Sequence, residues 1–246
     1  MSHNHIELKE GAFIICDAHF SHQRPELYDF IKAIHSKKLQ PTQLILLGDI
    51  FDALFGGVDY TLELNQELVD MLDDISKDIE LIYLEGNHDF NLKNVFKNAK
   101  VFDIYQHPVS CSYGGKKILL AHGDFESDFG YRVYTALIRN KYILWFLNIF
   151  NNMFNHVILK NVDKHLDKKN DCKEFTGFAE FIKRRGISKY ECDYFLEAHY
   201  HQNKKLIFGD MIYINLGAFA CNQRYFSVKS LQDIKLLEEK NFSKEV

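Results

Sequence analysis

Three prolines, no serine- or glycine-rich tract and no repeat at a fixed period leave this 246-residue chain without an evident linker or array. A single domain over 1–246 is the expected organisation, large enough to bury a substantial core. No uninterrupted apolar run reaches the ~18 residues of a membrane span. The opening MSHNHIELKEG has neither the basic nor the apolar region of a secretory signal. The five cysteines (Cys16, Cys111, Cys172, Cys192, Cys221) are odd in number, far apart and without a CxxC pair. That argues against a disulfide framework and against a cysteine-based zinc site. Together these absences predict a reducing, cytoplasmic setting.

What is present is an ordinary globular composition. Hydrophobic residues make up 46% and charged residues 26%, which excludes a disordered chain. The net charge of −4 is unevenly spread. Residues 131–190 carry 12 Lys/Arg against 5 Asp/Glu, a balance of +7, so the remainder carries −11. A basic segment in an acidic protein suggests an anionic ligand or a membrane surface, not bulk nucleic-acid binding. A solvated helical face is the plainer reading of the same charges.

The first half alternates strand and helix. Strands are expected at AFIIC (12–16), QLILL (43–47) and ELIYL (80–84), with helices over about 25–38 and 62–76 carrying apolar residues at helical spacing. That rhythm predicts βαβ units and a largely parallel sheet. A hairpin follows at VSCSYGGKKILLA (109–121), then a long helical stretch over about 126–186 containing the apolar run YILWFLNIF. Strand DYFLE (193–197), a hairpin over 204–215 and a strand near 225–231 complete the pattern. The tail from 232 reads equally as a short helix or a frayed end.

Five of these apolar strands end in the same chemistry: DAH (17–19), GDIFD (48–52), GNHD (86–89), HGD (122–124) and AHYH (198–201). Ligands of open α/β sheets collect outside the carboxyl ends of strands, where side chains from neighbouring strands converge. The convergent set is Asp, His, Asn and no thiolate, which suits Mn²⁺, Zn²⁺ or Fe. Seven such ligands are too many for one tetrahedral ion and fit two ions sharing a carboxylate, an arrangement used for phosphoester hydrolysis. Singly, GDIFD reads as a turn and His122 as a structural histidine. Turns do not explain all five at strand ends.

These motifs resemble the calcineurin-like metallophosphoesterases, whose pattern is D-x-H, G-D-x-x-D, G-N-H-D, H-G-D and G-H-x-H. The resemblance implies an α/β four-layer sandwich, two mixed β-sheets flanked by helices. It implies one ion held by Asp17, His19, Asp49 and His201 and a second by Asp49, Asn87, His122 and His199. His88 would face the substrate phosphate, oriented by Asp89, and Asp52 would orient a ligand histidine. The chain departs from the pattern at Ala198, where the family has glycine.

Length, DAHFSHQRPEL, LILLGDIFDALFG and the helical insertion at 126–186 resemble most the UDP-2,3-diacylglucosamine diphosphatases of lipid A synthesis. That likeness implies attack of a metal-bridged hydroxide on the diphosphate, giving UMP and 2,3-diacylglucosamine 1-phosphate, with two divalent ions, Mn²⁺ first among them. It also implies that the insertion is a lid over acyl chains and makes peripheral contact with the cytoplasmic face of the inner membrane. Candidate substrate contacts there are Arg139, Lys141, Trp145, Phe146, Lys160 and Lys164. A second departure is His88, where the best-known enzymes of that group carry arginine; an arginine is a permanent bidentate phosphate clamp and a histidine is not. The alternatives are the same chemistry on a nucleotide or phosphoprotein, and a non-catalytic scaffold of the same fold.

Overall fold

The computed structural model describes residues 6–126, 129–154, 156, 157, 159, 172–230, 233 and 235–244. Among them lie two six-stranded mixed sheets. In the first, strands Phe13–Ile15, Gln43–Leu47, Glu80–Leu84 and Lys100–Phe102 run parallel in that order, and Arg224–Val228 pairs antiparallel beside Phe13–Ile15. In the second, Lys116–Ala121, Tyr194–Glu197 and Met211–Asn215 run parallel, bounded by the antiparallel strands Val109–Tyr113 and Lys204–Phe208.

Alternation along the strands explains the layering. Ile14, Ile45, Leu47, Ile82 and Leu84 face the second sheet and pack on Ile118, Leu120 and Leu196. Their neighbours Phe13, Ile15, Leu44, Leu46 and Tyr83 face the other way, against helices Glu26–His35 and Asp59–Asp78. Leu119, Phe195 and Tyr213 are covered in turn by helix Phe178–Arg185. Strands buried on both faces read as unbroken apolar runs, which is why QLILL and ELIYL stand out in the sequence. The expected four-layer sandwich of two mixed sheets between helices is the observed one.

The tail differs from both expectations. Leu237–Asn241 is a strand, antiparallel to Arg224–Val228 at the sheet edge. Its sequence LEEKN has little strand character, so the pairing and not intrinsic preference sets its conformation. It delivers Phe242 to the Phe30 ring, 5.2 Å between centroids.

The cysteines also need correction. Cys172 and Cys221, 49 residues apart, form a disulfide. It joins the segment before helix Phe178–Arg185 to helix Phe219–Asn222, a juxtaposition that no sequence spacing announces. The cysteine pattern therefore no longer argues for a reducing compartment. Among the described residues no helix is long and apolar enough to cross a membrane.

Phe30 is fully buried between Phe13, Phe219, Tyr225 and Phe242 and ties the first helix to the chain's last strands. Phe30→Ala is expected to destabilise the protein by about 3–5 kcal/mol. A denaturant titration showing less than about 1 kcal/mol would mean that this cluster is not a shared core.

Candidate metal centre

Each candidate ligand follows the end of a strand. Asp17 and His19 follow Phe13–Ile15, Asp49 follows Gln43–Leu47, and Asn87 and His88 follow Glu80–Leu84. From the second sheet, His122 follows Lys116–Ala121, and His199 and His201 follow Tyr194–Glu197. The chain then bends sharply. Asp17, His19, Asp49, His199 and His201 all have left-handed backbone, with φ between 47° and 65°. Each such non-glycine residue costs about 1–3 kcal/mol and is held only by its surroundings. Here the restraint is mutual: Asp17 N–H donates to the Gly48 carbonyl (3.1 Å), His19 N–H to the Asp49 carbonyl (3.0 Å), and His199 N–H to the Asp17 carboxylate (3.1 Å).

The bends gather two triads of candidate ligands, beside a third group that joins His19 to Asp52 and His88. Asp17, His19 and His201 bring one donor atom each within 4.8 Å of one another, and Asp49, His122 and His199 do the same. Asn87 Oδ1 lies 3.2 Å from His122 Nε2, on the second triad. Asp49 reaches His122 Nε2 at 3.3 Å and accepts the His88 backbone N–H at 2.8 Å.

Glycines make this convergence possible. A Cβ on Gly86 would lie 2.2 Å from Asp49 Oδ1, and one on Gly48 would lie 2.4 Å from His122 Nδ1. The glycines of GD and GN thus leave room for the ligands of neighbouring strands. Ala198, the departure from the family's glycine, is buried in the apolar core between the sheets.

The imidazoles are oriented from behind. His122 Nδ1 donates to the Leu47 carbonyl oxygen at 3.0 Å, and His88 Nδ1 to the Asp52 carbonyl oxygen at 2.8 Å. Carbonyls accept only, so each Nδ1 carries a proton and each Nε2 is turned toward the centre. His19 Nδ1 lies 3.2 Å from Asp52 Oδ1, and Asp52 is itself fixed by Arg24 at 3.1 Å. Asp89 does not orient His88 as expected. Its carboxylate turns the other way and accepts from Asp49 N (3.0 Å), Ile50 N (2.6 Å), Gly86 N (2.8 Å) and the Tyr83 hydroxyl (2.6 Å). It organises the backbone of two loops. Tyr83, Arg24 and the Leu47 carbonyl were not foreseen, because the motifs mark the ligands and not what holds them.

The electrostatics favour cation binding. Burial pushes the Asp49 carboxyl up, but His122, His88 and His19 outweigh it and hold it well below the usual carboxylate range. Burial, assisted by the charge of His122, lowers His199 to about 3, so its imidazole is neutral, as ligation requires. Burial and the charge of Asp49 push Asp89 up to about 7. His19 Nε2 is buried with no hydrogen-bond partner among the described residues. An aimed, unsatisfied imidazole nitrogen amid buried carboxylates fits a divalent ion with mixed O/N preference.

Beside His88 and Asn87 opens a cavity of about 410 Å³, walled by Phe55, Val58, Phe90, Ile138, Leu144 and Leu147 among others. Helix Lys141–Met153 gives it Leu144, Leu147, Asn148 and Asn151. Trp145 and Phe146, expected to touch substrate, instead point to solvent on the opposite face, as helical spacing requires. Arg139 lines the cavity, but its guanidinium donates to Glu85 and to the Gly86 carbonyl. Lys141 is exposed, with its ammonium 5.1 Å from the Tyr142 ring. Lys160 and Lys164 lie outside the described residues.

A two-sheet sandwich with Asp, Asn and His gathered at its strand ends is the framework of a metal-dependent phosphoester hydrolase. The model of the calcineurin-like phosphoesterase family matches residues 13–211, and the chain belongs to that family. A UDP-2,3-diacylglucosamine hydrolase of Histophilus somni is 29% identical over 136 residues, covering 54% of this chain and 58% of the relative. One of Pseudomonas putida is 30% identical over 138 residues, covering 54% and 57%. The chain thus spans little more than half the length of the curated relatives it matches. A phosphoesterase from E. coli superposes with a TM-score of 0.45 at 12% identity, covering 94% of this chain and 98% of that one.

Gly86→Ala is expected to displace Asp49 and reduce metal affinity and turnover about 10–100-fold while the protein stays folded. Metal content after dialysis, with a circular dichroism control, checks this. Full metal content would show that the backbone gives way and that the glycine is not required.

Proposed function

We propose that the protein hydrolyses the diphosphate of UDP-2,3-diacylglucosamine to UMP and 2,3-diacylglucosamine 1-phosphate. The observation that carries this reading is the apolar cavity opening beside His88 and Asn87. A small phosphomonoester needs no such chamber, whereas a substrate joining a diphosphate to acyl chains fills it. The relatives named for that hydrolysis support the same choice.

On this reading Asp17, His19, Asp49 and His201 hold one divalent ion, and Asp49, Asn87, His122 and His199 a second, with manganese the proposed metal. Bound ions supply Lewis-acid charge at the phosphoryl oxygens and lower the pKa of water. His88, fixed through Nδ1, presents Nε2 to the phosphate to offset developing charge or to protonate the departing oxygen. Asp52 and Arg24 keep His19 in register, and Asp89 keeps the Asp49 and Gly86 turns together.

The 126–186 stretch acts as a lid within a single domain. The outward face of helix Lys141–Met153 carries Tyr142, Trp145, Phe146, Ile149 and Met153, all exposed. Such an apolar outer face suits the interfacial layer of a bilayer, here the cytoplasmic face of the inner membrane.

Two outcomes follow. Leu147→Asp on the cavity wall should raise KM for the diacyl substrate at least about tenfold and leave cleavage of bis(p-nitrophenyl) phosphate nearly unchanged. Equal losses on both substrates would remove the acyl chains from the cavity. Trp145 is the sole tryptophan, so its emission should shift to the blue with anionic phospholipid vesicles, and Phe146→Glu should weaken the shift. An unchanged spectrum at saturating lipid would sink the membrane contact.

A further inference from the structure

Two glutamates stand directly before two of the ligand-bearing loops. Glu85 precedes Gly86-Asn87-His88, and Glu197 closes strand Tyr194–Glu197 just before Ala198-His199. Both side chains are buried, at 2% and 0% exposure, where an unpaired carboxylate would be strongly disfavoured. Each is met by an arginine from the C-terminal end of a helix that lies between the fourth and fifth motifs.

Arg139 follows helix Phe129–Ile138. It donates through Nη1 to Glu85 Oε2 at 3.0 Å and through Nη2 to the Gly86 carbonyl oxygen at 2.6 Å. Its guanidinium also lies 4.9 Å from the Phe90 ring and 3.8 Å from Asp124 of the HGD turn. Arg185, the last residue of helix Phe178–Arg185, donates to Glu197 Oε2 at 2.8 Å, where the Tyr213 hydroxyl also donates at 2.5 Å. Arg139 therefore holds the backbone just before Asn87, and Arg185 braces the stem of the loop that carries both His199 and His201, its guanidinium 5.3 Å from the Tyr200 ring between them. Gly86, gripped by Arg139, is also the residue packed against the Asp49 carboxylate.

The other triad is supported in part differently. His19 is held by Asp52 and Asp52 by Arg24, all within the first 52 residues, whereas His201 shares with His199 the loop that packs through Tyr200 on helix Phe178–Arg185.

Building on the two-ion reading, we propose that Arg139 is a positioning residue which makes one of the two metal positions depend on helix Phe129–Ile138. That position is the one formed by Asp49, Asn87, His122 and His199, of which Asn87 directly follows the gripped Gly86. Asp49 is common to both positions, and the hydrogen bonds of Arg139 to Glu85 and Gly86 touch none of the residues found only in the other, Asp17, His19 and His201. The helix thereby sets occupancy of one ion as well as lining the cavity.

The test is a Mn²⁺ titration of the full chain, followed by the electron paramagnetic resonance of free Mn²⁺. The parent, Arg139→Gln/Glu85→Gln and Arg185→Gln/Glu197→Gln are compared. Each paired change neutralises both members of the closest ion pair, while Asp124, 3.8 Å from Arg139, and Glu126, 3.6 Å from Arg185, keep their carboxylates. The parent is expected to bind two equivalents. Arg139→Gln/Glu85→Gln should weaken one equivalent about 10–100-fold and leave the other within about threefold, whereas Arg185→Gln/Glu197→Gln, which loosens the loop of His199 and His201 together, should weaken both. Arg139→Lys should recover only part of the loss, since one ammonium does not span the Glu85 and Gly86 acceptors as a fork does. In an Asn87→Ala background, which retains the Asp17/His19/His201 position, the Arg139/Glu85 pair should change the remaining affinity less than threefold. Equal weakening of both equivalents by the Arg139/Glu85 change, or of neither, overturns the proposal. A parent that binds fewer than two equivalents overturns the two-ion reading and this inference with it.

Discussion

The Asp89 carboxylate is the point on which the centre turns. Its two oxygens take hydrogen bonds from the backbone of Asp49 and Ile50 in one loop, Gly86 in another, and the Tyr83 hydroxyl beneath both. A buried anion is costly unless fully satisfied, and a half-satisfied one destabilises its surroundings. Four donors aimed at one carboxylate therefore fix the loops to each other with little freedom. The strained backbone at Asp49 persists because its own N–H is among those donors. Burial and Asp49 raise the Asp89 carboxyl, so a cation held by Asp49 and the anionic state of Asp89 favour each other. Loop geometry and ion binding are thus one equilibrium.

The second sheet contributes its ligands through a different device. His122 and His199 come from strands parallel to each other, and Gly123 allows His199 to approach: a Cβ there would lie 2.9 Å from His199 Cβ. His199 N–H then donates to Asp17, across from the first sheet. The sandwich is closed at this edge by polar contacts between ligand residues, while Leu47, Leu84, Leu120 and Leu196 fill the space behind them. Apolar packing sets the distance between the sheets, and each triad spans that distance, Asp17 and His19 meeting His201 and Asp49 meeting His122 and His199.

The sequence made the fold and the ligand set legible because both rest on local signals. QLILL and ELIYL coincide with their observed strands, since burial on both faces leaves a continuous apolar run. The polar residues that stop those runs are the ones the structure gathers. Less legible was everything fixed by a distant partner. The strand at Leu237–Asn241, the Cys172–Cys221 bond, the outward turn of Trp145 and Phe146 and the direction of the Asp89 carboxylate depend on residues far away in the chain. One signal was available: ELIYLE and DYFLE are apolar strands that end on a glutamate immediately before a ligand loop. A carboxylate there, with no ligand role, points to a buried cation elsewhere.

Helix Lys141–Met153 is apolar on two faces. Its inward face gives Leu144 and Leu147 to the cavity beside His88, and its outward face gives Trp145, Phe146 and Ile149 to the exterior. A helix apolar on both sides is unstable against water unless something covers the outer side. On the reading proposed here the bilayer covers it, and the same surface is where a diacylated substrate resides. On that proposal acyl chains would pass from lipid to cavity around a single helix without an aqueous crossing, and the diphosphate, still attached, would arrive at the edge of the sheets beside His88 and the two triads. The amides Asn148 and Asn151 on the inner face mark the limit of that apolar path. Asn148 is tied to Asp59 at the start of helix Asp59–Asp78, which anchors the helix to the body of the domain on the side facing the chemistry.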